Sequence, residues 1–160
     1  VNEMLIGLLS EAEPVVQAVL TASRALMAVA AHSIAAAGAE VTLPQYRALV
    51  LIAARGPQRL IDLADALDVN RSTATRMCDR LVAKHLVRRT RLPHDRRTVR
   101  IALTSEGRAL VDGVTSKRRA DLARILARLT PEQQAAVVAA LTRFADAAQE
   151  QAVTRPAHAR

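Results

Sequence analysis

A chain of 160 residues with 23 lysines and arginines against 15 acids has the size of one domain and a formal charge of +8, and is long enough to bury roughly two-thirds of its unfolded surface without covalent staples. Its single cysteine, Cys78, excludes an intrachain disulfide and a multi-cysteine zinc site and fits a reducing compartment. The four histidines, His32, His85, His94 and His158, never fall at the i, i+4 spacing of a helical metal pair, so neither a metal nor another cofactor is expected.

Near the N-terminus MLIGLL is too short for a secretory signal and lacks its basic flank. No uninterrupted apolar run approaches the roughly 18 residues that span a bilayer, which reads as a soluble, cytoplasmic chain with no membrane partner. Ser10 and Glu13 have capping-box spacing, so a long helix is expected from there to Gly38, with Pro14 in its first turn and residues 1–9 as an arm or short extra helix. Thr42 and Gln45 repeat that spacing before a second helix with Tyr46, Leu49 and Ile52 on one stripe, closed by Gly56 and Pro57. LIDLADAL (60–67) predicts a short third helix and Asp68-Val69-Asn70 a turn. Asn70 is the N-cap of a fourth helix, NRSTATRMCDRLVAKHLV. Two short helices joined by a tight turn make a helix-turn-helix.

LVRRTRL (86–92) and PHDRRTVRIALT (93–104) then change period, with Val99, Ile101 and Leu103 alternating as in a strand, and together they predict one β-hairpin. Six arginines face only Asp95 between Arg88 and Arg100, a positive patch that suits phosphate because guanidinium binds oxygens bidentately. Thr104 can cap a long fifth helix to about Leu129. Thr130-Pro131-Glu132-Gln133 starts a sixth, carrying Val138, Leu141 and Phe144 to about Glu150, with 152–160 frayed.

On a helical wheel Ala74, Met77, Cys78 and Leu81 form the packing face of the fourth helix, which makes Cys78 a small core residue. Ser72, Thr75, Arg76, Asp79 and Arg80 fall opposite and offer hydroxyl and guanidinium donors to base edges and phosphates, near a helix N-terminus that itself attracts phosphate. A solvated charged face would account for that polarity if the helix stood alone. A two-stranded hairpin is barely stable by itself, however, so one that follows such a helix must lean on its neighbours and present its arginine-rich tip as a wing. Candidate DNA contacts are therefore Arg71, Ser72, Thr75, Arg76 and Arg80 on the helix and His94, Asp95, Arg96 and Arg97 on the wing. Asp95 either holds the turn or aims Arg97.

DRRTVRIALTSEG (95–107) resembles the signature of the MarR family of bacterial transcriptional regulators: an Asp-x-Arg wing tip, an alternating strand, then Leu-Thr and a glycine three residues later. LADALDVNRSTATRMCDRLVAKHLV is similar to that family's helix-turn-helix, and TLPQYRAL resembles its second helix. The resemblance implies a mainly α, six-helix winged helix-turn-helix subunit with one β-hairpin wing. Residues 42–104 would bind double-stranded DNA, while 1–41 and 105–160 would supply the long dimerisation helices and a frayed tail. It also implies a homodimer that represses transcription from a pseudo-palindromic operator and is released by a small-molecule effector. Only Tyr46 and Phe144 are aromatic, so aliphatic pocket walls are expected, with His32 and Tyr46 as candidate lining residues. The family's peroxide-sensing cysteine lies near the first helix, unlike Cys78.

The competing class is a winged-helix module whose basic wing meets an acidic protein partner, against which arginines on both helix and wing argue. No Gly-rich phosphate loop, nucleophile elbow or metal cluster points to an enzyme.

Overall fold

The short-range rules for starting a helix account for most of the architecture. In the computed structural model, which describes the backbone of residues 2–38, 40–92 and 95–154 and the side chains of 13–38, 40–91 and 98–148, the elements run α1 (Asn2–Ala36), α2 (Leu43–Arg55), β1 (Gln58–Arg59), α3 (Leu60–Leu67), α4 (Arg71–Ala83), β2 (Val87–Leu92), β3 (Asp95–Leu103), α5 (Ser105–Leu126) and α6 (Pro131–Thr154). Contacts divide the chain into two units, one running through Arg119 and the other beginning at Ala120.

In the first unit Thr42 and Gln45 form the reciprocal capping box. The Thr42 N–H donates to Gln45 Oε1 at 3.0 Å and the Gln45 N–H to Thr42 Oγ1 at 3.4 Å, so two amides that a helix start leaves unpaired are satisfied. The stripe this start sets in place, Tyr46, Leu49 and Ile52, enters a core with Ile34, Leu63, Leu67, Met77, Cys78, Leu81, Val87, Ile101, Val111 and Val114.

Several sequence expectations change: α5 ends at Leu126 rather than about Leu129, and α6 runs to Thr154 rather than about Glu150. Helix α1 begins at Asn2 rather than Ser10, with Pro14 inside it; a proline removes one amide from the ladder but need not end a helix whose other bonds remain. Helix α4 ends at Ala83 rather than Val87, because His85 turns left-handed (φ 57°) and the chain leaves toward the sheet. And the hairpin gains a third strand: β1 pairs antiparallel with β3, Gln58 opposite Ile101 and Arg59 opposite Arg100, giving the order β1-β3-β2. Arg59 and Arg100 place like charges across that pair, which is unfavourable unless relieved. The Asp62 carboxylate relieves it, accepting from Arg59 Nε at 2.7 Å and Nη2 at 2.6 Å, and those bonds hold the Asp62 pKa below its ordinary value.

Thr104 links the end of the sheet to the start of α5. The Thr104 hydroxyl caps α5 by accepting the Gly107 N–H at 3.0 Å and donates to the His85 carbonyl at 2.6 Å, while the Thr104 N–H donates to the Leu86 carbonyl at 3.2 Å. Gly107 lies so near that a Cβ there would sit 2.0 Å from the Leu86 oxygen. The Leu-Thr-x-x-Gly pattern is thus a cap and a close backbone approach in one.

In the second unit Thr130 and Gln133 repeat the box, at 2.9 and 3.3 Å, to start α6. The long helices leave large apolar side chains uncovered: Val15, Val16, Val19, Leu20, Leu26 and Met27 on α1, and Val138, Leu141 and Phe144 on α6, the last three 65%, 52% and 55% exposed. Glu13–Ala36 is also long and apolar enough to cross a bilayer by composition, with mean hydropathy 1.4, although polar residues interrupt its apolar run. Only 6% of its most apolar stretch is buried within the chain.

Candidate nucleic-acid interface

The turn that delivers α4 is built by two local devices. Asp68 takes the left-handed conformation (φ 54°) after α3, and its N–H returns to the carbonyls of Ala64 and Asp65 while the Val69 N–H reaches Ala64 at 3.0 Å, a Schellman-like closure. Asn70 then reverts to an extended conformation and caps α4, its Oδ1 accepting the Thr73 N–H and the Ser72 hydroxyl, each at 2.8 Å.

Ala74, Met77, Cys78 and Leu81 are buried, which fixes the rotation of α4 and turns Arg71, Ser72, Arg76, Asp79 and Arg80 outward; Thr75 is half-buried at the edge of that face. The two hydroxyls do not act as the donors the sequence suggests. Ser72 gives its proton to Asn70, and Thr75 gives its own to the Arg71 carbonyl at 2.8 Å. Each hydroxyl oxygen keeps lone pairs and so offers an acceptor on this face, while the guanidiniums of Arg71, Arg76 and Arg80 offer donors.

One flank of the outer face borders α2, where Thr73, Arg76, Met77 and Arg80 line an open groove of about 320 Å³ with Thr42, Pro44 and Gln45. The other flank meets the wing, where Asp79 pairs with Arg89 of β2. In the hairpin Val87 opposes Leu103, Arg89 opposes Ile101 and Arg91 opposes Val99, and the register slips between Arg91 and Leu92. Arg88 and Arg91 are exposed. Half-buried Arg100 donates from Nη1 to the Pro57 carbonyl at 3.4 Å. Asp95, Arg96 and Arg97 belong to the backbone of β3, but their side chains, and all of His94, lie outside the described residues. Sequence reasoning counted Arg89 in the basic patch without giving it a role; its signal was the two-residue period from buried Val87, which turns Arg89 to the same side of the strand.

His32 is exposed, whereas Tyr46 is buried with its hydroxyl 3.4 Å from that of Thr115. Neither lines the α2–α4 groove, nor a second cavity of about 410 Å³ bounded by Ala36, Ala37, Ala109, Leu110, Gly113 and Lys117. Among the described residues no three His, Cys, Asp or Glu side chains gather as a metal site.

Burial pushes the Cys78 thiol from the ordinary 9.0 up to about 11, the nearby Asp79 carboxylate adding to the rise. At pH 7.5 that leaves roughly one thiol in a few thousand as the reactive thiolate, so native protein should resist a maleimide or Ellman reagent and react only when unfolded. Prompt stoichiometric labelling of folded protein would show that the thiol is not sealed. The sign of the linkage follows: the folded state's advantage from holding a neutral thiol is complete below about pH 9 and fades as the pH climbs toward 11.

Residues 41–99 match the family model described as "MarR family". The chain is 34% identical over 118 residues to the HTH-type transcriptional repressor MdtR of Bacillus subtilis, covering 72% of this chain and 76% of that one. Among solved structures it superimposes on RV1404 from Mycobacterium tuberculosis with a TM-score of 0.79 at 42% identity, over 86% of this chain and 93% of that one. It shares a fold with a point mutant of S. aureus MepR bound to an oligodeoxyribonucleotide, at a TM-score of 0.63, 22% identity, and 82% and 95% coverage.

Proposed function

The chain belongs to the MarR family of transcriptional regulators and is a DNA-binding protein, and from that premise we propose that it acts in the cytoplasm as a homodimeric repressor of a pseudo-palindromic operator, released by a small-molecule effector. The observation that carries this reading is the outward face of α4, where Arg71, Arg76 and Arg80 stand beside an arginine-rich hairpin. An α-helix fits the major groove and a wing fits the flanking backbone or narrow minor groove, so both elements can engage one duplex. Residues 42–104 form the DNA-binding part in this reading, with His94, Asp95, Arg96 and Arg97 among its candidate contacts; 1–41 and 105–160 pair two copies through the apolar faces of α1 and α6.

The repressor assignment draws on the likeness to MdtR. For the effector, the cavity of about 410 Å³ offers aliphatic walls and one lysine, Lys117, which suits a small organic acid better than a stacked aromatic ring. His32 and Tyr46 remain candidates for effector contact through movement of α1 against α2.

A footprint of the purified protein on DNA upstream of its own coding region should reveal two protected half-sites. Arg76→Ala should weaken binding there by about 1–3 kcal/mol and relax preference at the base pair it reads. If the dimer neutralises about six to ten phosphates, log affinity should fall against log salt with a slope near −0.9 per contact. A flat salt response and no footprint would favour the acidic-protein partner instead.

A further inference from the structure

A carboxylate on the DNA-facing side of a recognition helix needs a reason, because phosphate repels it. Asp79 is such a group: it lies one turn beyond Thr75 on the wing-side flank of α4, and its side chain remains half exposed. Its Oδ1 accepts from Arg89 Nη2, and Arg89 stands on β2 opposite Ile101 of β3. The guanidinium therefore joins the recognition helix to the strand leading directly to the wing tip. Near the end of α4, Leu81 shares the core with Val87 and Ile101, and just beyond that end Thr104, which follows β3, binds the carbonyls of His85 and Leu86. Those hold one end; a rigid helix-to-wing angle needs a second tie farther along the helix, and Asp79–Arg89 supplies it.

We propose that Asp79 and Arg89 are positioning residues for DNA recognition: their ion pair fixes the wing relative to α4, so that the arginines of both elements meet one duplex in register. The inference rests on the DNA-binding reading and extends it to residues that need not touch base or phosphate. It runs against simple electrostatics, which expects removal of Asp79 to tighten binding.

The test is a double-mutant cycle with the full chain on the footprinted upstream duplex and on a random duplex of equal length. Asp79→Asn should weaken operator binding by about tenfold although it adds positive charge, and leave random-duplex binding equal or tighter, so that discrimination falls. Arg89→Gln should produce a similar loss with little change in salt slope, because the guanidinium answers a carboxylate rather than a phosphate. The double variant should be no worse than either single, and Asp79→Glu, whose carboxylate can still reach Arg89, should recover most of the loss. A merely folding-related defect would instead lower binding to both duplexes alike. Tighter operator binding by Asp79→Asn, additive losses in the double variant, or a salt slope reduced by about one unit in Arg89→Gln would each overturn the pairing. Failure of the unmodified protein to bind either duplex would instead remove the DNA-binding reading.

Discussion

Gly107→Ala should destabilise the protein by about 2–4 kcal/mol, although it adds a single methyl group to a helix. The new Cβ would lie 2.0 Å from the Leu86 oxygen and 2.9 Å from its carbon, both backbone atoms that cannot rotate away, and 3.0 Å from a Leu103 methyl. To admit it, α5 must withdraw from the start of β2, which strains the Gly107 N–H bond to Thr104 and through it the Thr104 bond to His85. Gly113→Ala, on the same helix, is the matched control. Nothing lies within 4 Å of its Cβ position, so alanine's better helix propensity should stabilise it by about 0.5–1 kcal/mol. Urea unfolding of both variants measures the contrast, and a Gly107→Ala midpoint equal to that of the parent would refute the close approach. Because the same contacts set where the chain leaves α4 for the wing, the variant should also lose affinity for the operator beyond what its unfolded fraction explains.

Features governed by neighbours in sequence were legible before the structure was known. The caps at Thr42, Asn70, Thr104 and Thr130 all bind three residues ahead, so a side chain and its spacing suffice to find them. The apolar stripes of α2 and α4 and the alternation in β3 were equally plain. Long-range contacts decided the rest. Strand β1 is two residues, Gln58 and Arg59, with no strand period of their own, and it exists because Ile101 and Arg100 lie beside it. The end of α4 carries neither glycine nor proline, and a threonine nineteen residues away secures the left-handed His85 carbonyl. Ser10 and Glu13 show the opposite failure, since they have capping-box spacing inside a helix that continues through them. At the site, residue type and helical face located the outward groups of α4, but the direction of the Ser72 and Thr75 hydroxyl protons depended on acceptors that only the folded turn provides. Asp79 could be read as exposed, but its partner could not, because Arg89 reaches it from another element.

Placing two charges on α6 by Val138→Glu and Leu141→Glu should separate the proposed dimer and lower operator affinity by about two to four orders of magnitude. Val138 and Leu141 lie one turn apart, more than half exposed, with Phe144 one turn further on. That is a contiguous apolar strip that water covers poorly and a second copy of the same strip could cover well. A carboxylate buried there without a partner would cost several kcal/mol, and two-fold symmetry repeats each substitution on the facing subunit. The loss on DNA follows from linkage between half-sites: once one recognition helix is seated, the dimer presents the second at a high effective concentration, and a monomer has no such advantage. Neither substitution touches the bonds that start α6 at Thr130 and Gln133, so helix content should persist wherever the separated subunit remains folded. Sedimentation at micromolar concentration, circular dichroism and operator titration distinguish the outcomes. A dimer that survives both charges would move the proposed interface off this face of α6, leaving the uncovered valines and leucines of α1 as the surface that two copies must share.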